Sequence, residues 1–256
     1  FKKSPLNDIT TPKVIGYSNE SKNYEILPNN ENYNYDTIKI LLSKTVKKLK
    51  ANDQAIKINS NKIAKENSCG EDMTFELKNN ILDITGSGYM TNYSIIFNRY
   101  PNWYADRDLI KYININDGVK SIGWFAFCCC HKAISINLPE SLESIYDYAF
   151  YECWSLETIN LPNKLTTFGE GVFTMCYHLS TISLPNNIKN IGPSLFSHCI
   201  NIKSIIIPNN FESIHRMMFY RCYHISTIEI PESVKTIEYQ AFSCCNGLKT
   251  IKIPKL

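Results

Sequence analysis

Residues 156–178 read LETINLPNKLTTFGEGVFTMCYH, and residues 179–201 read LSTISLPNNIKNIGPSLFSHCIN. Set one above the other, they share Leu, Thr-Ile, Leu-Pro, Phe and Cys in the same columns. The register extends well beyond this pair. Pro139, Pro162, Pro185, Pro208, Pro231 and Pro254 are spaced 23 residues apart, as are Phe127, Phe150, Phe173, Phe196, Phe219 and Phe242. So are Cys130, Cys153, Cys176, Cys199, Cys222 and Cys245. A fixed period of about 20 to 50 residues, held by several independent columns, marks a solenoid in which each repeat forms one coil.

Each coil reads roughly LxxIxIPxxVxxIxxxAFxxC. The opening LxxIxIP, seen as LETINLP, IKSIIIP and ISTIEIP, alternates like a short strand, and its proline ends the hydrogen-bonded ladder. One coil cannot bury its Ile-x-Ile pair and its Phe alone, whereas stacked coils share a continuous apolar interior. The expected fold is a β-rich solenoid with its parallel strands on one face and the AFxxC turns on the opposite wall. Six full coils occupy 110–247, a seventh strand begins at Leu248, and Asn116 stands where the first coil lacks its proline. Seven strands give a slab about 30 Å long.

Two segments precede the repeats. In 68–109 the alternating runs MTFELK and ILDIT flank Asn79-Asn80 and predict a β-hairpin that caps the open first coil. Residues 1–67 do not repeat. There TIKILLSKTVKKLK (37–50) places apolar residues at helical spacing with lysines opposite, predicting one amphipathic helix, and QAIKINS reads as a short strand. The first residues, FKKSPLND, read as either a mature or a cut start. The last, IKIPKL, stop inside a coil with no C-terminal cap, so that either the native chain continues or it has been cut there.

Bulk composition narrows the function. Hydrophobic residues make up 44% of the chain, and no apolar run approaches the ~18 residues of a membrane span. The net charge of +3 is unevenly spread, with 12 Lys against 7 Asp/Glu in 1–66 and 15 Lys/Arg against 17 Asp/Glu thereafter. Scattered lysines among Asn and Tyr read as a solvated surface, so nucleic acid is not an expected partner. Membrane contact stays open. The sequons at Asn19 and Asn92 are candidate glycosylation sites.

Cys176 and His178 look at first like a nucleophile with its base. A cysteine repeated in every coil instead reads as an inward ladder of small side chains making weak hydrogen bonds to turn backbone. The six ladder positions are Cys130, Cys153, Cys176, Cys199, Cys222 and Cys245. His131, His178, His198 and His224 fall at outward positions. Cys128, Cys129 and Cys244 also fall at outward positions, where they should react more readily. No acid, base and nucleophile converge by spacing, so no catalytic residue, metal site or cofactor is expected. Two outward rows could bind a protein. One runs along the strands through Thr158, Thr181, Ser204 and Thr227. The other is a ridge at the turns, with Tyr151, Trp154, Tyr177, Tyr220, Arg221 and Tyr223, side chains that interfaces favour.

The columns, the SCGEDMTFEL and LDITGSGYMTNY cap segments, the DGVKSIGWFAFCCC lead-in and the later AF/VF/LF/MF-xx-C turns closely resemble the BspA-like leucine-rich repeats of bacterial and parasitic-protist surface proteins. The resemblance covers about 68–256. It implies a leucine-rich-repeat horseshoe and a role in adhesion or host-protein binding. The expected function is therefore a non-catalytic module, cell-surface or secreted, that binds a host, matrix or other surface protein, with the aromatic ridge contributing to partner or self association. The other reading is an intracellular scaffold, such as a cytoskeletal or ciliary component of a protist.

Overall fold

The structure is a computed structural model and describes residues 67–252. The helix read over 37–50, the QAIKINS strand, Asn19 and the last proline column position lie outside those residues. β1 (Ser68–Lys78) and β2 (Ile81–Met90) form the antiparallel hairpin. Asn79 and Asn80 turn it with φ of 52° and 65°, the two left-handed residues of a tight primed turn. Asn tolerates that backbone better than most residues do.

β2 is the edge on which the whole solenoid is laid. Its first half pairs in parallel with β3 (Tyr112–Ile115), and its second half pairs with β4 (Val119–Ile122). From there two parallel ladders run along two walls. The first continues from β3 through β5 (Ser135–Asn137) and β7 (Thr158–Ile159). A single bridge at Thr158–Thr181 extends it by one coil, and beyond a break between Thr181 and Ser204 a bridge at Ile206–Glu229 leads into the paired β11 (Thr227–Glu229) and β13 (Thr250–Lys252). The second ladder runs from β4 through β6 (Ser144–Ile145), β8 (Thr167–Phe168) and β9 (Asn190–Ile191). β10 (Ser213–Ile214) and β12 (Thr236–Ile237) pair in the same manner.

Sequence reading gave each coil one strand; the structure gives two. The second strand was hidden because most of its copies are two residues long. Such a copy contributes one inward residue, too little for an alternation to register.

The AFxxC turns form the remaining wall, built differently. Each turn holds two residues in the left-handed region, at Tyr148 and Glu152, for example, or at Met217 and Arg221. This backbone aims alternate N–H groups along the solenoid axis. Phe125, Phe127 and Cys129 donate to the carbonyls of Asp147, Ala149 and Tyr151 in the next coil, and later coils repeat the pattern. Only one of these left-handed positions in the described coils is glycine, Gly171. Tyr148 lies across it, so that a Cβ there would sit 2.4 Å from the ring.

Inside, the six column phenylalanines stack ring on ring, with centroids 5.4 to 5.8 Å apart. Trp103 continues the stack into the cap at 5.6 Å from Phe127, and Phe75 and Tyr93 close it edge-on. The cap also answers the first coil's outward carbonyls: Trp124 accepts the Tyr93 N–H, and Ala126 accepts the Trp103 indole N–H at 3.0 Å. Trp103→Phe should keep the stacking but leave the buried Ala126 carbonyl unpaired. The expected cost is about 1–3 kcal/mol, read as a lower urea midpoint with an unchanged m value.

Candidate functional site

The cysteine ladder is as the column register requires. Cys153, Cys176, Cys199, Cys222 and Cys245 are buried, and each Sγ donates to the Phe carbonyl of the preceding coil at 3.0 to 3.3 Å. Cys130, in the first coil, is buried as well. The same carbonyl accepts the N–H of its own coil's cysteine: Phe150 O takes Cys153 N at 3.2 Å and Cys176 Sγ at 3.3 Å. Each sulfur therefore satisfies the second lone pair of a buried carbonyl. Burial pushes these thiols up, Cys245 to about 11 and the others further. Cys69 in the cap rises to about 12 for the same reason.

Cys176 and His178 face different environments. Cys176 lies in the core, whereas His178 is exposed and its Nδ1–H donates to the Trp154 carbonyl at 2.7 Å. His224 repeats that bond to Ile200 O. The pair is not a dyad.

The turn ridge proves to be two patches rather than one row. Trp154 and Tyr177 stack at 6.1 Å, and His131 stacks on the other face of Trp154 at 3.7 Å. Tyr220, Arg221 and Tyr223 lie further along, separated from these by Ile200 in the intervening coil. Arg221 rests over the Tyr220 ring at 5.2 Å. Trp154 and Tyr223 are only 38% and 37% exposed, and Tyr151, Tyr177 and Tyr220 are half-buried. The first x of AFxxC does not face outward as expected. Its column runs Cys128, Tyr151, Thr174, Ser197, Tyr220, Ser243, and none of these is exposed. Closely spaced turns press these side chains against their neighbours, as where Tyr220 meets His198 of the preceding coil edge-on at 5.3 Å.

Two of the three cysteines expected outside are therefore corrected. Cys128 and Cys129 are buried, and Cys244 alone is exposed. Cys128 shares the burial of its column, and the first coil differs at Cys129, where Tyr104 and Arg107 of the 3-10 segment Tyr104–Leu109 lie beside the thiol. Hydrogen bonds from Cys128 and then Tyr104, with the Arg107 charge, hold the Cys129 thiol below its usual range against burial and the Glu152 carboxylate. Cys128, committed to that bond and buried, is pushed up.

The strand row keeps its outward aspect. Thr158, Thr181, Ser204, Thr227 and Thr250 are exposed, and a shallow depression of about 650 Å³ runs along Thr158, Asn160, Thr181, Ser183, Ser204 and Ile206. Ile206 is 82% exposed, a large apolar side chain standing free amid hydroxyls and amides. Its neighbours in the same column are Ser183 and Glu229, so its place on the row was legible from the repeat, but its weight was not.

A parallel solenoid of 23-residue coils, with an outward polar row and an inward Phe and Cys column, defines a leucine-rich repeat protein. The chain belongs to the BspA type: a sequence model of the BspA type leucine rich repeat region matches residues 100–225 and 178–256, with 6 copies. No curated protein matches the chain. Among solved structures it is similar to the leucine-rich repeat protein of T. pallidum at 24% identity, covering 71% of this chain and 90% of that one, with a TM-score of 0.55. It is also similar to a leucine-rich repeat protein from Bacteroides ovatus at 22% identity, covering 73% of this chain and 53% of that one, with a TM-score of 0.59. At such identities the likeness is one of fold.

Two predictions test this site chemistry. With a thiol reagent in native buffer, Cys244 should react first and the ladder cysteines only on unfolding, while denaturation without reductant should release all ten as free thiols. The second concerns His198, which burial and then the Arg221 charge lower from 6.5 to about 4. A folded value below the unfolded one means that the unfolded chain takes up the proton first. Stability is thus complete above pH about 6.5 and is lost as pH falls through about 4. His198→Asn, acceptable at φ 61°, should flatten that part of a urea-midpoint profile.

Proposed function

We propose that the protein is a non-catalytic binding module, displayed at a cell surface or secreted, that engages a host, matrix or other surface protein through its first strand wall. The observation that carries this reading is Ile206, 82% exposed beside an ordered row of Thr and Ser side chains. A solvent-facing isoleucine on a rigid sheet stabilises nothing in the free protein, yet it supplies an anchor when a partner covers it. The surrounding hydroxyls offer donors and acceptors with little rotamer freedom to lose. Rows spread along a solenoid suit extended contact more than bond-making.

Trp154 and Tyr177 form a secondary contact surface in this reading, and Tyr223 with Arg221 a third. Asn92 supports an extracellular setting, because its residue is exposed and only its Oδ1 is engaged, by the Trp124 N–H at 3.0 Å. A glycan released from Asn92, or labelling of the protein on intact cells, would check the compartment.

Binding is tested by coating beads with the chain and measuring their attachment to immobilised extracellular-matrix proteins. Ile206→Asp should weaken attachment by about 2 kcal/mol or more while changing stability by no more than about 0.5 kcal/mol. Attachment that survives Ile206→Asp but fails in Trp154→Ala with Tyr223→Ala would move the binding face to the turns.

A further inference from the structure

We propose that the junction of the first two coils is a divalent transition-metal site, best suited to Zn²⁺, with Cys129 Sγ, His131 Nε2 and Glu152 Oε2 as its ligands. The proposal is independent of the partner-binding reading. These three donor atoms lie within 4.8 Å of one another. Glu152 Oε2 is 3.8 Å from Cys129 Sγ and 3.4 Å from His131 Nε2. A tetrahedral zinc with ordinary bond lengths spaces its S and O ligands by about 3.5 Å and its N and O ligands by about 3.3 Å. An ion therefore fits between them with only small side-chain adjustments.

The orientation of His131 points the same way. Its Nδ1 lies 3.1 Å from Asp108 Oδ1, so Nδ1 carries the proton and donates it to that carboxylate. Nε2 then presents a lone pair to the Glu152 carboxylate, which can only accept. Two acceptors that face one another hold something positive between them, either a proton or a metal ion. Carboxylate–histidine pairing of this kind is the usual outer support of a zinc-binding imidazole. The Trp154 ring, stacked on His131 at 3.7 Å, fixes the plane of the imidazole.

Cys129 is supported comparably. Its sulfur reaches the Glu152 carboxylate at 3.8 Å, and the residue is 5% exposed. Left-handed backbone at Cys129 and Glu152, with φ of 61° and 58°, holds both donors on the hydrogen-bonded turn wall. Access is from the His131 side, where the imidazole and the Glu152 side chain keep 21% and 13% exposure. A thiolate, an imidazole and a carboxylate form a borderline-soft set that favours Zn²⁺ over Mg²⁺ or Ca²⁺. Three protein ligands leave the fourth position open.

The site occurs once among the described coils. One coil on, the corresponding positions hold Glu152, Trp154 and Met175, and two coils on they hold Met175, Tyr177 and His198. The repeat supplies the geometry, and only the first coil supplies the donors. A bound ion would join the first coil to the second, with Asp108 tying in the 3-10 segment.

The test uses the whole chain, reduced and stripped of metal by chelation, titrated with Co²⁺. The expected result is saturation at one equivalent, with a thiolate-to-cobalt charge-transfer band, intense visible bands of tetrahedral cobalt and quenching of Trp154 fluorescence. Zn²⁺ should displace the cobalt, and Mg²⁺ and Ca²⁺ should not. Cys129→Ser should abolish the charge-transfer band while Cys244→Ser leaves it intact. His131→Gln, at a partly exposed position and so safe for folding, should abolish the Trp154 quenching. Asp108→Asn should weaken Zn²⁺ binding about 10–100-fold. Absence of a charge-transfer band under excess Co²⁺, or a band that persists in Cys129→Ser, would overturn the site and leave a proton between His131 and Glu152.

Discussion

The structure depends on how the turn wall disposes of its backbone polar groups. A parallel strand ladder alone could not hold these coils, since several copies on the first wall shrink to single bridges. The AFxxC turn supplies what the strands lack. Its left-handed residues aim alternate N–H groups at the next coil, and the Phe carbonyl is shared by its own coil's cysteine N–H and the following coil's cysteine S–H. Buried carbonyls left with half their capacity unmet would tax every coil. The cysteine is the small donor that reaches this position without displacing the Phe stack. That requirement accounts for the coincidence of the Phe and Cys columns in one register.

The same wall explains both the rigidity of the surface and its irregularity. Left-handed backbone at non-glycine residues is costly, roughly 1–2 kcal/mol per residue, and persists here because three inter-coil hydrogen bonds per turn over-determine it. Side chains carried on that backbone have fixed directions. Some are pressed against the neighbouring turn, as Tyr220 is on His198, and others are brought to meet a partner one period away. Cys129 and Glu152 meet in this way, and so do His131 and Asp108. In a solenoid, residues separated by one period are spatial neighbours, so a single coil of unusual composition can assemble a local site without altering the fold.

The ends of the stack pose the problem that every solenoid must solve. Here the cap answers it with aromatic rings and hydrogen bonds together. Trp103 is both the last ring of the phenylalanine stack and a donor to the Ala126 carbonyl. β2, long enough to bend past two walls, gives β3 and β4 their first partners. The hairpin is thus the template on which coil geometry begins, rather than a lid added afterwards.

The sequence by itself determined the period, the coil count, the inward Phe and Cys columns, the hairpin at Asn79-Asn80 and the outward strand row. These follow because a 23-residue register is linear information, and stacking converts each column into a spatial row. It did not determine the second strand, whose two-residue copies leave no alternation to read. Nor did it fix which x positions face water, because that depends on left-handed turn geometry that no residue type announces when the position is not glycine. Cys128 shares the burial of its whole column, whereas Cys129 is the one buried member of its own, beside Tyr104 and Arg107 of the 3-10 segment outside the repeat. The meeting of Cys129, His131 and Glu152 was latent in the 23-residue spacing of 129 and 152. It became a site only when the tertiary structure put two adjacent coils, and Asp108 beside them, within hydrogen-bonding reach.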